Sequence, residues 1–185
     1  EGRSRTKIDL PGVQQELLEE VYKVNKNIVL VLMNGRPLNI NWAEKNIPSI
    51  VEAWQLGTQT GNAIAQVLYG DYNPSGKLPM TFPRSVGQIP IYYNYKNTGR
   101  PGPKNEVFWS HYNDEVNTPL YPFGYGLSYT TFEYSNIAID NKILKKNNSI
   151  NVSVELKNTG KFKGKEVVQL YIKDRYASVT RPVRE

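Results

Sequence analysis

The sequence predicts an α/β layer over its front part and a piece of an all-β sandwich at its end. Three observations carry this. An amphipathic helical pattern leads into a continuous apolar run, Ile28-Val29-Leu30-Val31-Leu32-Met33. A run of that length, rich in branched residues, reads as a strand buried on both faces of a parallel sheet. A second strand and a second helical pattern follow, and such alternation argues for an α/β layer. Near the end, Ile150, Val152, Val154 and Leu156 alternate with Asn151, Ser153 and Glu155, the period-two pattern of a half-buried antiparallel strand.

Each element has its own local signal. Glu1 to Asp9 are polar and read as a loop. From Pro11, Val13, Leu17, Val21 and Val24 recur every three to four residues, with Glu16, Glu19 and Glu20 opposite. That is an amphipathic helix opened by a proline in its first turn. The apolar run of 28–33 ends at Asn34-Gly35, and Ile50-Val51-Glu52-Ala53-Trp54 is a second, weaker strand. Thr58, as a cap candidate, precedes the helical stripe of Ile64, Val67 and Leu68, and Gly70 suits the left-handed position after the helix. Leu78-Pro79-Met80-Thr81-Phe82-Pro83 reads as an edge strand, because its prolines cannot donate to a ladder.

Residues 84–130 show no sustained period and are rich in Pro, Gly, Asn and Tyr. A segment this long without regular elements is functional or is packed down by its own side chains. Tyr92, Tyr93, Phe108, Trp109, Tyr121 and Phe123 are among the aromatics available for that. In the tail, a strand near Ser135–Asp140, the alternating run of 150–156 and a third run over 167–172 give three antiparallel strands, the last two flanking Asn158-Thr159-Gly160. An immunoglobulin-like sandwich needs about seven, so the sequence is expected to stop with that sandwich unfinished.

Composition narrows the classes of function. The 185 residues are 39% hydrophobic and 22% charged, the balance of a globular chain a little longer than one domain. No apolar run approaches the roughly 18 residues that a membrane helix needs. Cysteine is absent, which excludes a disulfide scaffold, a thiol nucleophile and a zinc ribbon but not secretion. His111 is the only histidine, so a multi-histidine metal site within the chain is not expected. The net charge of +6 sits entirely in the tail: residues 1–134 hold 12 Lys/Arg and 12 Asp/Glu, and residues 135–185 hold 11 and 5. The tail cations are mostly lysines around turns, such as Lys142, Lys145, Lys146, Lys161 and Lys163, with few interleaved aromatics. That pattern favours a solvated rim over a nucleic-acid surface, which mixes Arg with stacking rings.

Residue chemistry alone offers three candidate sites. Asp114 and Glu115 lie near His111, a set that could do acid–base work. No nucleophile motif accompanies it, and a polar loop with an incidental histidine explains it better. Asn34-Gly35-Arg36-Pro37 follows a buried strand, where α/β folds place ligand loops. Pro37 has no amide donor, however, and no glycine-rich fingerprint is present. Glu1, with Arg3 and Arg5 nearby, could be an acid beside compensating cations.

Longer motifs then carry a resemblance. They are Glu1-Gly2-Arg3-Ser4-Arg5 leading to Leu10-Pro11-Gly12-Val13-Gln14, the stretch Val29 to Pro37, Gly61-Asn62-Ala63-Ile64-Ala65, and Gly70-Asp71-Tyr72-Asn73-Pro74-Ser75-Gly76-Lys77-Leu78-Pro79. Asn97-Thr98-Gly99-Arg100-Pro101 and the stretch Pro119 to Thr130 follow in order, and then Asn158-Thr159-Gly160, Gly164 and Glu166 to Tyr171. Over essentially its whole length the chain resembles bacterial β-glucosidases of glycoside hydrolase family 3. The resemblance implies a layered α/β sandwich domain over 1–83, an aromatic, Pro- and Gly-rich linker and loop region over 84–133, and a truncated fibronectin type III-like domain over 134–185.

The same resemblance implies a retaining, exo-acting β-glucosidase in which an N-terminal barrel domain, absent from this sequence, supplies an aspartate nucleophile. Glu1 matches the general acid/base position and Arg5 the arginine after it. The family's arginine before a Tyr-x-Asp stretch is replaced by His111. The implied partners are a β-glucoside or oligosaccharide and the barrel of the same chain, with no nucleic acid and no membrane span. No cofactor and no metal are implied. The implied location is periplasmic or extracellular, and this segment by itself is expected to be inactive. A β-xylosidase is an alternative within the family, since the residues that grip the sugar come largely from the barrel; a non-catalytic carbohydrate-binding or adhesion module is another, since the aromatics of 84–130 could stack on sugars.

Overall fold

The computed structural model describes residues 4–100 and 107–185. They form two compact units, one built from 4–64, 77–100, 107–125 and 169–185, the other from 65–76 and 126–168. Among the described residues no helix is long and apolar enough to cross a membrane.

The first unit has the expected α/β character. Helix α1 (Gln14–Val24) leads to strand β1 (Val29–Leu32), helix α2 (Asn41–Asn46) and strand β2 (Ser49–Glu52). The strands pair in parallel, with Val29 opposite Ser49 and Leu32 opposite Glu52. Parallel strands need a crossover, and here residues 33–48, with α2 inside them, make it. Helix α2 has no periodic signal in the sequence. Its Ala43 has no exposed surface and sits in a core with Leu18, Leu32, Leu38, Ile40, Ile47, Phe82 and Leu120. Trp42 packs edge-on to Tyr22 of α1, ring centroids 5.4 Å apart.

The apolar stripe expected to bury α1 does not do so. Val13, Leu17, Val21 and Val24 are exposed, Val24 at 86%. The core side is instead set by Leu18, which is buried, and by Tyr22 packed against the core. Leu18 and Tyr22 are one turn apart, and the large ring of Tyr22 finds a partner in Trp42 that small valines could not fill. Strand β1 is likewise less enclosed than its sequence suggests. Leu32 is buried but Val29 is half exposed, because a two-stranded sheet of four-residue strands gives each strand few neighbours.

Residues 78–83 do not form a continuous strand. Leu78 N donates to Tyr125 O, Gly124 N to Leu78 O and Phe82 N to Tyr121 O, but only Phe82 and Tyr121 count as a bridge. Pro79 and Pro83 lack the donors that would complete the ladder. Among the described residues, the rest of 84–125 is irregular, as expected, apart from a 3-10 turn at Val86–Gln88. Rings hold part of it: Tyr93 stacks on Phe123 at 4.3 Å and Tyr121 on Tyr125 at 5.0 Å. A polar side chain holds more of it. Gln88 is buried; its Oε1 accepts from Arg84 N at 2.7 Å, and its Nε2 donates to Val116 O at 2.8 Å.

Helix α3 (Thr60–Leu68) is entered through a 3-10 turn at Gly57–Gln59. Thr60, not Thr58, bonds back to the turn, its Oγ1 donating to Gly57 O. Gly70 takes the left-handed position, φ +82°, and Tyr72 N closes the helix end on Gln66 O at 3.0 Å.

In the second unit, strand β3 (Phe132–Ile139) pairs antiparallel with strand β4 (Val152–Asn158), Phe132 opposite Asn158 and Ile139 opposite Val152. A bulge lies between Ser135 and Ala138. There Asn136 is left-handed and its Nδ2 donates to Glu155 Oε2 at 2.7 Å. The expected strand over 167–172 is not formed. Asn158 to Gly160 are therefore not a hairpin turn into it. They fold back on the start of β3: Thr159 N donates to Thr131 O at 2.9 Å, and Asn158 Oδ1 accepts from Thr130 Oγ1 and Gly160 N.

Candidate active site

The C-terminal ends of parallel strands are where α/β sheets place ligand loops. Beyond β1 lies Asn34-Gly35-Arg36-Pro37, and beyond β2 lies Ala53-Trp54-Gln55. Asn34 ties the two together. Its Nδ2 donates to Arg36 O at 2.7 Å, closing the turn, and to Glu52 Oε2 at 3.3 Å. The other Glu52 oxygen accepts from Trp54 N at 3.0 Å. This holds Trp54 in a left-handed turn, φ +49°, with its ring 6.0 Å from that of Phe82. The turn after β1 is thus closed by its own asparagine and is not an open anion cradle.

Glu52 is the perturbed acid of this region. Burial pushes its carboxyl above the usual carboxylate range, and the hydrogen bonds from Trp54 N and Asn34 oppose that only in part. Asn34 Oδ1 is buried without a hydrogen-bond partner among the described residues.

The loop before α1 runs alongside these turns. Asp9 and Asn39 form a parallel bridge, with Asn39 N donating to Ile8 O at 2.8 Å and Asn39 Nδ2 to Asp9 Oδ1 at 3.0 Å. Nearer the start of the loop, Arg36 Nη1 donates to Arg5 O at 2.9 Å. Ile8 is buried beneath this double attachment.

Of the residues singled out from sequence, Glu1 and Arg3 lie outside the described residues. Arg5 is attached to the turn after β1 as above. His111, Asp114 and Glu115 lie on the exposed irregular segment. His111 Nδ1 bonds to Trp109 O at 2.8 Å and Glu115 Oε1 accepts from its neighbour Val116 N, so each is spent locally. Among the described residues no hydrogen-bonded set joins the three. No motif in the sequence links Glu52, Asn34 and Arg36 as a group. A signal was present: Glu52 is a lone carboxylate inside the apolar stretch Ile50-Val51-Glu52-Ala53, where only a partnered or functional acid is tolerated.

Comparison with known proteins gives the family. The glycosyl hydrolase family 3 C-terminal domain matches residues 1–129. A periplasmic beta-glucosidase of Salmonella typhimurium is 51% identical over the whole chain, which covers 24% of that relative. A beta-xylosidase of Formosa agariphila is 49% identical over 98% of the chain and 24% of its own length. Among solved structures, a beta-glucosidase of Listeria innocua in complex with glucose superposes with a TM-score of 0.91 at 44% identity, covering 96% of this chain and 25% of that one. The chain spans about a quarter of the length of the curated relatives it matches. By the family match over most of its residues and these identities over its whole length, the chain belongs to glycosyl hydrolase family 3.

Proposed function

We propose that the chain is part of a retaining, exo-acting β-glucosidase acting on β-linked glucosides, and that Glu1 is its general acid/base. The observation that carries this reading is the 51% identity to a periplasmic beta-glucosidase over the entire chain. A retaining hydrolase needs two carboxyl groups about 5–5.5 Å apart, one kept protonated to donate to the leaving oxygen. In this reading an aspartate on a barrel domain elsewhere in the full-length chain attacks the anomeric carbon. Glu1 gives its proton to the departing oxygen, then takes one from the water that frees the sugar. Residues 1–83 form the α/β sandwich domain, 84–133 its linker and loop region, and 134–185 the start of a fibronectin type III-like domain. The segment alone, without a nucleophile, has no turnover. The protein works in the periplasm, the location printed in that relative's name, or outside the cell. A β-xylosidase is the second reading, favoured by the 49% identical beta-xylosidase; parallel assays on aryl β-glucosides and β-xylosides separate the two.

The test of Glu1 is the full-length protein with Glu1→Gln. The acid's absence is felt most where the leaving group needs a proton. Activity on a poor leaving group should drop by roughly 10²–10⁴-fold, and activity on a dinitrophenyl glucoside far less. Equal activity of variant and parent on both substrates would remove Glu1 from the reaction.

A further inference from the structure

Helix α1 carries more apolar surface than the core uses. Leu18 and Tyr22 turn to the core, whereas Val13, just before the helix, and Leu17, Val21 and Val24 form a separate strip that is exposed. With about 3.6 residues per turn, the two sets lie roughly a third of a turn apart. An apolar strip of this kind ordinarily rests on another element. Strand β1 has an unused edge as well. Among the described residues β2 is its one strand partner, and on that side Leu32 O accepts from Ala53 N at 2.9 Å. Main-chain groups turn to alternate sides along a strand, so those of Val31, next to Leu32, point to the free edge. Parallel strands occur enclosed within larger sheets, and an open edge is a template for a further strand.

The route of the chain says which strand fits. The loop before α1 is fastened beside the segment that leaves the C-terminal end of β1: Arg36 Nη1 donates to Arg5 O at 2.9 Å and Asn39 Nδ2 to Asp9 Oδ1 at 3.0 Å. Helix α1 then returns the chain to Val29, the N-terminal end of β1. That is the second half of a strand–helix–strand crossover, whose helix packs on the sheet over two parallel strands. The 185 residues span about a quarter of their curated relatives, so a full-length chain has polypeptide to supply the first half.

We propose that the free edge of β1 and the exposed strip of α1 seat one further strand of the same polypeptide, parallel to β1 and leading into the loop before α1. Its main chain takes up the ladder at Val31, and its side chains on one face lie beneath Leu17 and Val21. Enclosed between β1 and the helix, it is a run of branched apolar residues. A second copy of the chain does not fit this seat. Two copies meeting edge to edge about a two-fold axis would pair β1 with β1 antiparallel and would not continue a parallel sheet. The seat is independent of the role given to Glu1.

The test uses the full-length protein. Hydrogen exchange on the unsubstituted protein reads the Val31 amide, which should exchange at least about 100-fold more slowly than an unpaired amide. Leu17→Cys and Val21→Cys, each made singly, should react with a maleimide at least about 100-fold more slowly than Glu16→Cys on the charged side of α1. Slow reaction at both positions and a protected Val31, at every protein concentration, support the proposal. Free exchange at Val31 overturns it whether or not the variants fold. Labelling of Leu17→Cys and Val21→Cys as fast as Glu16→Cys overturns it too, since the strand must lie beneath the helix. Protection that vanishes on dilution to the monomer would put a second copy on the seat, and overturns it equally. None of these outcomes bears on Glu1, which its own variant tests.

Discussion

Asn34 Nδ2 stands 3.3 Å from Glu52 Oε2, so the loop leaving β1 and the last residue of β2 share a hydrogen bond at the C-terminal ends of the parallel strands. The acceptor is a carboxyl group that burial holds above its ordinary titration range. A group whose folded-state affinity for the proton exceeds its unfolded one stabilises the fold below the ordinary carboxylate range. That stability is lost as pH rises through the raised value, and is level above it. Glu52→Gln removes the titration. It keeps an oxygen for Trp54 N and loses the acceptor facing Asn34, a fixed offset that does not vary with pH. The difference in unfolding free energy between parent and variant should therefore shift toward the variant as pH rises from the ordinary carboxylate range through the raised value of Glu52, and stay constant beyond it. Chemical unfolding at several pH values checks it; parallel curves would show that Glu52 titrates normally.

Phe82 joins three parts of the core. It is 2% exposed, its ring meets those of Trp54 and Tyr121, and its backbone bridges to Tyr121. Phe82→Ala should destabilise the first unit by about 3–5 kcal/mol, the range for deleting a buried ring that its surroundings cannot replace. Phe82→Leu should cost clearly less. Urea melts of both variants decide the point, and a loss under about 1 kcal/mol for Phe82→Ala would mean that the site collapses around the gap.

How much of this was legible beforehand follows from what kind of signal each element has. Strands β1 and β2, and Gly70 at the end of α3, rest on short-range chemistry that the sequence displays directly. The side of α1 that faces the core does not. Val13, Leu17, Val21 and Val24 form the more regular apolar stripe, yet Leu18 and Tyr22 are the residues turned inward, because what decides is the partner Trp42, which lies on an element the periodicity did not reveal. The run of 167–172 fails for a similar reason. Alternation marks a residue's suitability for a strand, but a ladder also needs a neighbour, and among the described residues the main-chain bonds of this run are those of Ile172 with Glu185. At the site, Glu1 became a candidate only through the family resemblance, whereas the link from Glu52 through Asn34 and Arg36 to Arg5 joins residues far apart in the chain that no spacing rule brings together.

Gln88 is a buried polar residue that does the work of a short ladder. It accepts from Arg84 N and donates to Val116 O, with Thr118 O at 3.4 Å. Gln88→Leu fills similar space but leaves those main-chain groups without that partner. The expected destabilisation is about 1–3 kcal/mol. Hydrogen exchange gives a sharper readout: protection should fall first at Arg84 N. Unchanged exchange there would mean that water replaces the side chain without loss.

Gly160 is a tightly enclosed glycine of the second unit. A Cβ there would lie 2.2 Å from Thr130 Oγ1 and 2.8 Å from Thr131 N. The hydroxyl could rotate away, at the expense of its bond to Asn158 Oδ1. The Thr131 amide is main chain at the entrance to β3 and cannot move without shifting the strand. Gly160→Ala should therefore cost about 1–3 kcal/mol, the range for overpacking, and the loss should appear as weaker β3–β4 pairing, seen as faster exchange at the amides of Phe132 and Asn158. Gly99 offers the comparison, since nothing stands within 4 Å of a Cβ placed there. Gly99→Ala should be nearly neutral. Equal effects at the two positions would show that backbone freedom, and not the close approach of Thr130 and Thr131, is what glycine supplies at 160.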